Sequence, residues 1–265
     1  MPGFHHLLIE ESNGVRTITL NRPGKRNALC PLMMDEISQA LFEAEDSECR
    51  VVILTASGPI FCAGLDMEHL STIHATTEEE GRRDSENMAR VLRSLYEFPK
   101  PVIAAINGAA IGGGMSLATI PDFTLAAREA RFGYTEVKVG YVPAIAASFL
   151  LRQVGERRTR ELLLSGKMIT AQEAYQLGLV TQIVESTELI ATAQALAQGL
   201  LQNSPRAMQK VKALLAMHSK RRLDEEIEDA IEINARQRSA EDFREGVQAF
   251  LEHRKPEWPS LHAKV

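Results

Sequence analysis

Glu136 stands in the run Ala130-Arg-Phe-Gly-Tyr-Thr-Glu-Val-Lys-Val-Gly-Tyr-Val-Pro143, between apolar and aromatic neighbours. Such a setting raises a carboxyl pKa and suits the group to proton transfer near neutral pH. A lone glutamate is more often simply solvated, so this segment by itself leaves both readings open. Asn107-Gly-Ala-Ala-Ile-Gly-Gly-Gly114 is a second segment with chemical possibilities, lying just before Met115-Ser-Leu-Ala-Thr119. Three consecutive glycines weaken local structure and need a reason. One reason is close backbone packing. The other is that N–H groups at the positive end of a helix must approach an oxyanion with no Cβ in the way. A third segment, Ile60-Phe-Cys-Ala-Gly-Leu-Asp66, follows a Ser57-Gly58-Pro59 turn. Its Gly64 can turn successive N–H groups toward one point, although most loops of this kind are only connections.

Other chemistries leave no signature. The glycine-rich turn is not G-x-G-x-x-G, no G-x-x-x-x-G-K-[ST] phosphate loop occurs, and no G-x-S-x-G nucleophile elbow occurs. Cys30, Cys49 and Cys62 have no metal-ligand spacing, and no Cys/His/Asp pattern resembles a metal site. His5, His6, His218, His253 and His262 are terminal or on polar helix faces. His69 and His74 follow the loop at 63–66 and can lie near a pocket.

The elements that must carry these segments alternate. His6–Glu11 and Val15–Leu20 are β-rich runs around a Ser12-Asn13-Gly14 turn, a hairpin. From Pro31 the apolar positions Met33, Ile37, Leu41 and Ala44 recur at helical spacing. Val51–Thr55 and Val102–Ile106 are unbroken apolar runs of the kind buried parallel strands show, and Phe123–Ala126 is a third candidate. Strands alternating with helices predict an α/β protein. After about residue 145 the pattern is helical, over 145–153, 157–164, 171–177 and 186–201. Two more helices are expected at 205–218 and 224–237. Their break falls between Lys220-Arg221-Arg222 and Asp224-Glu225-Glu226, charges that helix dipoles favour at a C-terminus and an N-terminus.

Composition narrows the class. The chain has 265 residues, 45% hydrophobic and 25% charged, enough for one large core. A net charge of −5 offers no field for nucleic acid or an anionic membrane. No apolar run approaches the ~20 residues a membrane span needs, and three thiols without a disulfide pattern fit a reducing, cytoplasmic setting.

Taken in order, the segments resemble the enoyl-CoA hydratase/isomerase (crotonase) superfamily over nearly the whole chain. The resemblance is carried by Asn21-Arg-Pro…Asn27-Ala-Leu29, Phe61-Cys-Ala-Gly-Leu-Asp66 and Lys100-Pro-Val-Ile-Ala-Ala-Ile-Asn-Gly108. It continues through Ile111-Gly-Gly-Gly114, Phe132-Gly-Tyr-Thr-Glu136, Gly140-Tyr-Val-Pro143 and Ser165-Gly-Lys…Ala171…Ala174…Gly178-Leu-Val180. The family implies a spiral of β-β-α turns over residues 1–200. A helical region over 201–265 would follow, used for trimer or hexamer assembly. It also implies a CoA thioester whose carbonyl oxygen is gripped by the N–H groups at positions matching Leu65 and Gly113. Glu136 would be the acid/base. The loop Ala63, Leu65, Asp66, Met67 and Glu68 would meet adenine and pantetheine, with Gly112 and Tyr141 beside the acyl group. Arg22, Lys25 and Arg26 would face phosphates, and Arg254 and Lys255 a neighbouring subunit's CoA. Met67, Met115, Tyr141 and Val142 fit either the acyl pocket or the core. Coenzyme A is then part of the substrate, and no separate cofactor or metal is implied.

One departure matters. Two-carboxylate hydratases of this family carry a carboxylate at the position that is Ser116 here. Glu136 would work alone, with Ser116 holding a water. The expected activity is hydration of a 2-enoyl-CoA in fatty acid metabolism. The alternatives are a Δ3-Δ2-enoyl-CoA isomerase, which needs only one shuttle carboxylate, another CoA reaction such as decarboxylation, and a CoA- or RNA-binding pseudoenzyme.

Overall fold

The computed structural model describes residues 3–69 and 78–261; His74 and His262 lie outside the described residues. Two sheets organise the chain. The larger has the strand order β1 (Leu7–Ser12), β2 (Val15–Leu20), β3 (Val51–Ala56), β5 (Val102–Ile106), β7 (Phe123–Ala127) and β10 (Gln182–Val184). Only the opening hairpin β1–β2 is antiparallel; the remaining pairs are parallel. The unbroken apolar runs have the cause the sequence suggested, burial on both faces. With a side-chain period of two, Val52, Leu54, Val102, Ala104 and Ile106 enter one core, while Val51, Ile53, Ile103, Ala105 and Leu125 enter another. Leu189, Ala193 and Ala197 of the helix Leu189–Leu200 close that second core. A fully buried Ile such as Ile53 contributes roughly 2 kcal/mol of transfer free energy.

The smaller sheet is built from strands of three residues or fewer: β4 (Ile60–Cys62), β6 (Ala109–Ile111), β8 (Arg131–Gly133) and β9 (Ile169–Thr170). Each of β4, β6 and β8 follows its long partner β3, β5 or β7 after a tight turn, and helices intervene between pairs. The long strands are neighbours in one sheet and the short strands neighbours in the other. Repeated β-β-α units therefore wind as a spiral. The three chemically suggestive segments, which look like loops in the sequence, begin as these short strands. Two or three residues are too few to show an alternating pattern.

The helices are α1 (Pro31–Asp46), α2 (Glu78–Glu97), α3 (Gly113–Thr119), α4 (Ala144–Ser165), α5 (Ala171–Gln176), α6 (Leu189–Leu200), α7 (Pro205–Gln237) and α8 (Glu241–Leu251). Two expected breaks differ in kind. The break expected between 145–153 and 157–164 is present inside α4, which is two helices joined across a kink where Gly155 leaves helical geometry (φ 72, ψ 167). The pair expected at 205–218 and 224–237 is one continuous helix of 33 residues. Lys220, Arg221 and Arg222 pair with Asp224, Glu225 and Glu226 at 3.4, 3.3 and 2.8 Å. Opposite charges four residues apart support a helical turn instead of marking its ends. Helices α2 and α4 both pack on α7, whose inner stripe is Leu223, Ile227, Ala230, Ile231 and Asn234. Among the described residues, no helix is long and apolar enough to cross a membrane.

Candidate active site

The ends of β4 and β6, the start of α3 and the turn after β8 meet at one cavity. Leu65, Gly113, Ser116, Glu136 and Tyr141 all line it, together with Met34, Met88, Leu92 and Ile145.

Leu65 is placed by a single parallel bridge to Leu29. Leu29 N–H donates to the Gly64 carbonyl at 2.8 Å and Asp66 N–H to the Leu29 carbonyl at 3.0 Å. The intervening Leu65 N–H has no acceptor among the described residues. Gly113 opens α3, where the first N–H groups of a helix have no internal partner. Its N–H likewise has none. Two unsatisfied amides therefore belong to residues on one cavity wall.

The three glycines of the triplet have different surroundings. A Cβ at Gly114 would lie 2.6 Å from the Cys62 carbonyl oxygen, so this glycine permits close helix–strand packing. A Cβ at Gly112 would lie 2.8 Å from Glu136 Oε1, so that glycine makes room for a carboxylate. Residue 113 carries the free amide.

Glu136 opens a 3-10 turn, Glu136–Val139. The residue as a whole is half-buried, yet its Oε2 is sealed from solvent and accepts no hydrogen bond from the described residues. Burial pushes the carboxyl up to about 7, only partly opposed by a hydrogen bond from its own backbone amide. A proton acceptor that titrates near neutrality fits general acid/base work. The turn is fixed from behind by α8. A Cβ at Gly246 would lie 2.3 Å from the Val139 carbonyl oxygen, so helix and turn touch backbone to backbone.

Ser116 is completely buried, and its Oγ lies 3.1 Å from the Tyr134 hydroxyl. Burial pushes that phenol well above its usual range, so it stays protonated. Cys62 is no nucleophile here, since burial pushes its thiol up to about 12.

The remaining expected site residues surround this centre without lining the cavity. Asn27 is fully buried and holds three strands of backbone together. Its Nδ2 donates to the carbonyls of Ser57 (2.9 Å) and Ile60 (2.8 Å), and its Oδ1 accepts from Arg22 N–H (2.8 Å). Arg22 Nη1 donates to Asp66 Oδ2 at 2.6 Å and to the Ala28 carbonyl at 3.1 Å. Burial raises the Asp66 carboxyl, but the Arg22 hydrogen bond and the Glu68 amide outweigh it, and the group sits below the usual range. The Arg26 carbonyl accepts from Ala63 N–H at 3.0 Å, and Lys25 pairs with Glu68. Met67 packs against the Tyr141–Phe243–Val247 cluster. Met115 is buried in the main core. Arg254 is clamped on Glu245 and Glu252.

A polar wall of the cavity has no counterpart in the sequence reading. Asp84 Oδ2 receives Arg238 Nη1 at 2.7 Å and meets His69 Nε2 at 3.0 Å. Ser85 and Asn234 lie beside them. Asp84 and Arg238 are 154 residues apart on polar helical segments, and no local pattern couples them. His69 was the one member that its place after the loop had brought forward. Among the described residues, no group of three or more His, Cys, Asp or Glu could hold a metal ion.

The family model described as enoyl-CoA hydratase/isomerase matches residues 10–261. A Thermus thermophilus protein provisionally named an enoyl-CoA hydratase is 38% identical over 247 residues, covering 93% of this chain and 98% of its own. A short-chain-enoyl-CoA hydratase of Clostridium acetobutylicum is 34% identical, covering 96% of this chain and 97% of its own. The crystal structure of an enoyl-CoA hydratase/isomerase from Xanthobacter autotrophicus Py2 superposes with a TM-score of 0.87 at 28% identity. It covers 95% of this chain and 97% of that one.

Proposed function

The chain belongs to the enoyl-CoA hydratase/isomerase family, and from that premise we propose that it hydrates a 2-enoyl-CoA thioester with Glu136 as acid and base. The observation that carries this reading is the unpartnered Oε2 of Glu136, in a carboxyl that lines the same cavity as the two unsatisfied amides of Leu65 and Gly113. Addition at C3 of a conjugated thioester moves negative charge onto the carbonyl oxygen. Two preorganised N–H donors stabilise that enolate, at a typical ~3–4 kcal/mol each. The Glu136 carboxylate takes a proton from water as the oxygen adds to C3, and the resulting carboxylic acid delivers a proton to C2. Atoms and charge balance with no further reactant. Ser116, held by Tyr134, steadies the water.

Under this reading coenzyme A belongs to the substrate, and the Ala63–Glu68 loop takes its adenine and pantetheine. Arg22, through Asp66, shapes that loop, and the chain assembles as a trimer or hexamer in the cytoplasm.

A second reading has its own observation. Serine occupies position 116, and one carboxylate suffices to move a proton from C2 to C4 in a Δ3-Δ2-enoyl-CoA isomerase. Incubation with 2-enoyl-CoA and 3-enoyl-CoA separately distinguishes them. Loss of the conjugated thioester absorbance from the former marks hydration, and its appearance from the latter marks isomerisation. If neither thioester reacts while acyl-CoA still binds, the proposal fails, leaving another CoA reaction such as decarboxylation or a binding pseudoenzyme.

A further inference from the structure

The polar wall of the cavity has features that an enolate mechanism leaves unexplained. A pocket meant only for an alkyl chain is best lined by apolar side chains. This one also contains Asp84, Arg238, His69 and Asn234, drawn from α2, α7 and their flanks. Asn234 is 4% exposed and Arg238 6%. Among the described residues, the Asn234 Oδ1 acceptor and the Arg238 Nε donor are buried without a partner, while the rest of the Arg238 guanidinium faces Asp84 and the Tyr141 hydroxyl. Other polar groups in the wall are satisfied: Ser85 Oγ donates to the Gly81 carbonyl at 2.9 Å, and Asp84 Oδ2 is shared by Arg238 and His69. Buried orphans of this kind are uncommon, and each calls for a cause.

We infer that this wall selects acyl groups carrying an uncharged oxygen function, a hydroxyl, beyond the reacting carbons. The inference rests on the acyl-CoA reading of the same cavity. A hydroxyl both donates and accepts, which matches an orphaned carbonyl oxygen and an orphaned N–H. An alkyl tail would leave both unsatisfied and exclude any water from serving them. Charge argues against a carboxylate tail. The Arg238 cation is already matched by Asp84 at 2.7 Å, and Glu136 adds a second carboxyl to the same cavity. A further anion there would meet two acids, with Arg238 and His69 both already held on one of them.

The test is calorimetric binding of saturated acyl-CoA thioesters, so that no turnover intervenes. Acyl, terminally hydroxylated and terminally carboxylated chains of matched lengths are titrated into the wild-type protein and into Asn234→Leu. The hydroxyacyl thioester is expected to bind the wild type at least ~10-fold more tightly than its alkyl counterpart at the best length, in line with sites that hydrogen-bond a substrate hydroxyl. In Asn234→Leu that ratio is expected to collapse toward one. Should the leucine variant not fold, Asn234→Ala is measured in its place. Equal or tighter alkyl binding by the wild type, a preference for the carboxylated chain, or a ratio untouched by the substitution would overturn the inference. Those results leave hydration itself intact, whereas failure of every acyl-CoA to bind would remove both proposals together.

Discussion

Gly112 and Glu136 share a contact that leaves no space for a side chain at position 112, since a Cβ there would sit 2.8 Å from Oε1 and 3.3 Å from Cδ of the glutamate. Gly112 also has φ +56, a conformation L residues rarely adopt. Gly112→Ala is therefore expected to act on activity more than on stability. The carboxyl is the movable end of a side chain and will yield, at a backbone cost of about 1–3 kcal/mol. A displacement near 1 Å at the reacting group costs ~100-fold in turnover. Turnover and thermal unfolding measured on one preparation check this; an intact rate with a lowered Tm would contradict it.

Glu136→Gln is expected to lose at least ~100-fold in turnover while still binding acyl-CoA. In the wild type, kcat/KM is expected to rise with pH through about 7, because the carboxylate is the form that would accept the proton. The variant loses that limb.

The same group makes a stability prediction of definite sign. Its folded pKa of about 7 exceeds the ordinary 4.5, so the folded state holds the proton more tightly. That stabilisation is complete below about 4.5 and is lost as pH rises through about 7. Glu136→Gln, which never charges, should equal the wild type in acid and surpass it by on the order of 3 kcal/mol above neutrality. Denaturant unfolding at both ends of this range measures the difference.

Gly246→Ala is expected to reach the active site from behind. Its Cβ would meet the Val139 carbonyl carbon at 2.4 Å, and that backbone cannot yield as a side chain does. Helix α8 would be pushed off the Glu136–Val139 turn, with a stability loss of about 1–3 kcal/mol. Turnover should fall further than it does in a surface variant of equal instability, and the comparison is made at a temperature where both are fully folded.

Arg22→Ala removes the 2.6 Å ion pair with Asp66 and a bond to the Ala28 carbonyl. If Arg22 acts through the loop, the loss in kcat/KM will be about the same in Asp66→Ala and will not add in the double variant. A direct contact to a CoA phosphate predicts additive losses and a shallower salt dependence in the arginine variant alone.

Much of the centre was determined by the sequence. The apolar runs at 51–55 and 102–106 read as strands buried on both faces, and the structure places their residues alternately in two cores. Glu136 and the glycine triplet were legible because proton transfer and close backbone approach require those residue types, and the ordered segments around them matched one family. Local pattern could not say which glycine serves which purpose. That depends on Cys62 and Glu136 arriving from other turns of the spiral. Nor could it show the continuity of α7 across residue 223, since the same charges suit two helix ends or one unbroken helix, and packing on α2 and α4 decided between them. Of the wall of Asp84, His69, Asn234 and Arg238, only His69 was within reach of sequence reasoning, through its place after the loop at 63–66. Asp84, Asn234 and Arg238 are polar residues far apart in the chain, and only the folding of α2 against α7 buries Asn234 and Arg238 and brings all three to one cavity.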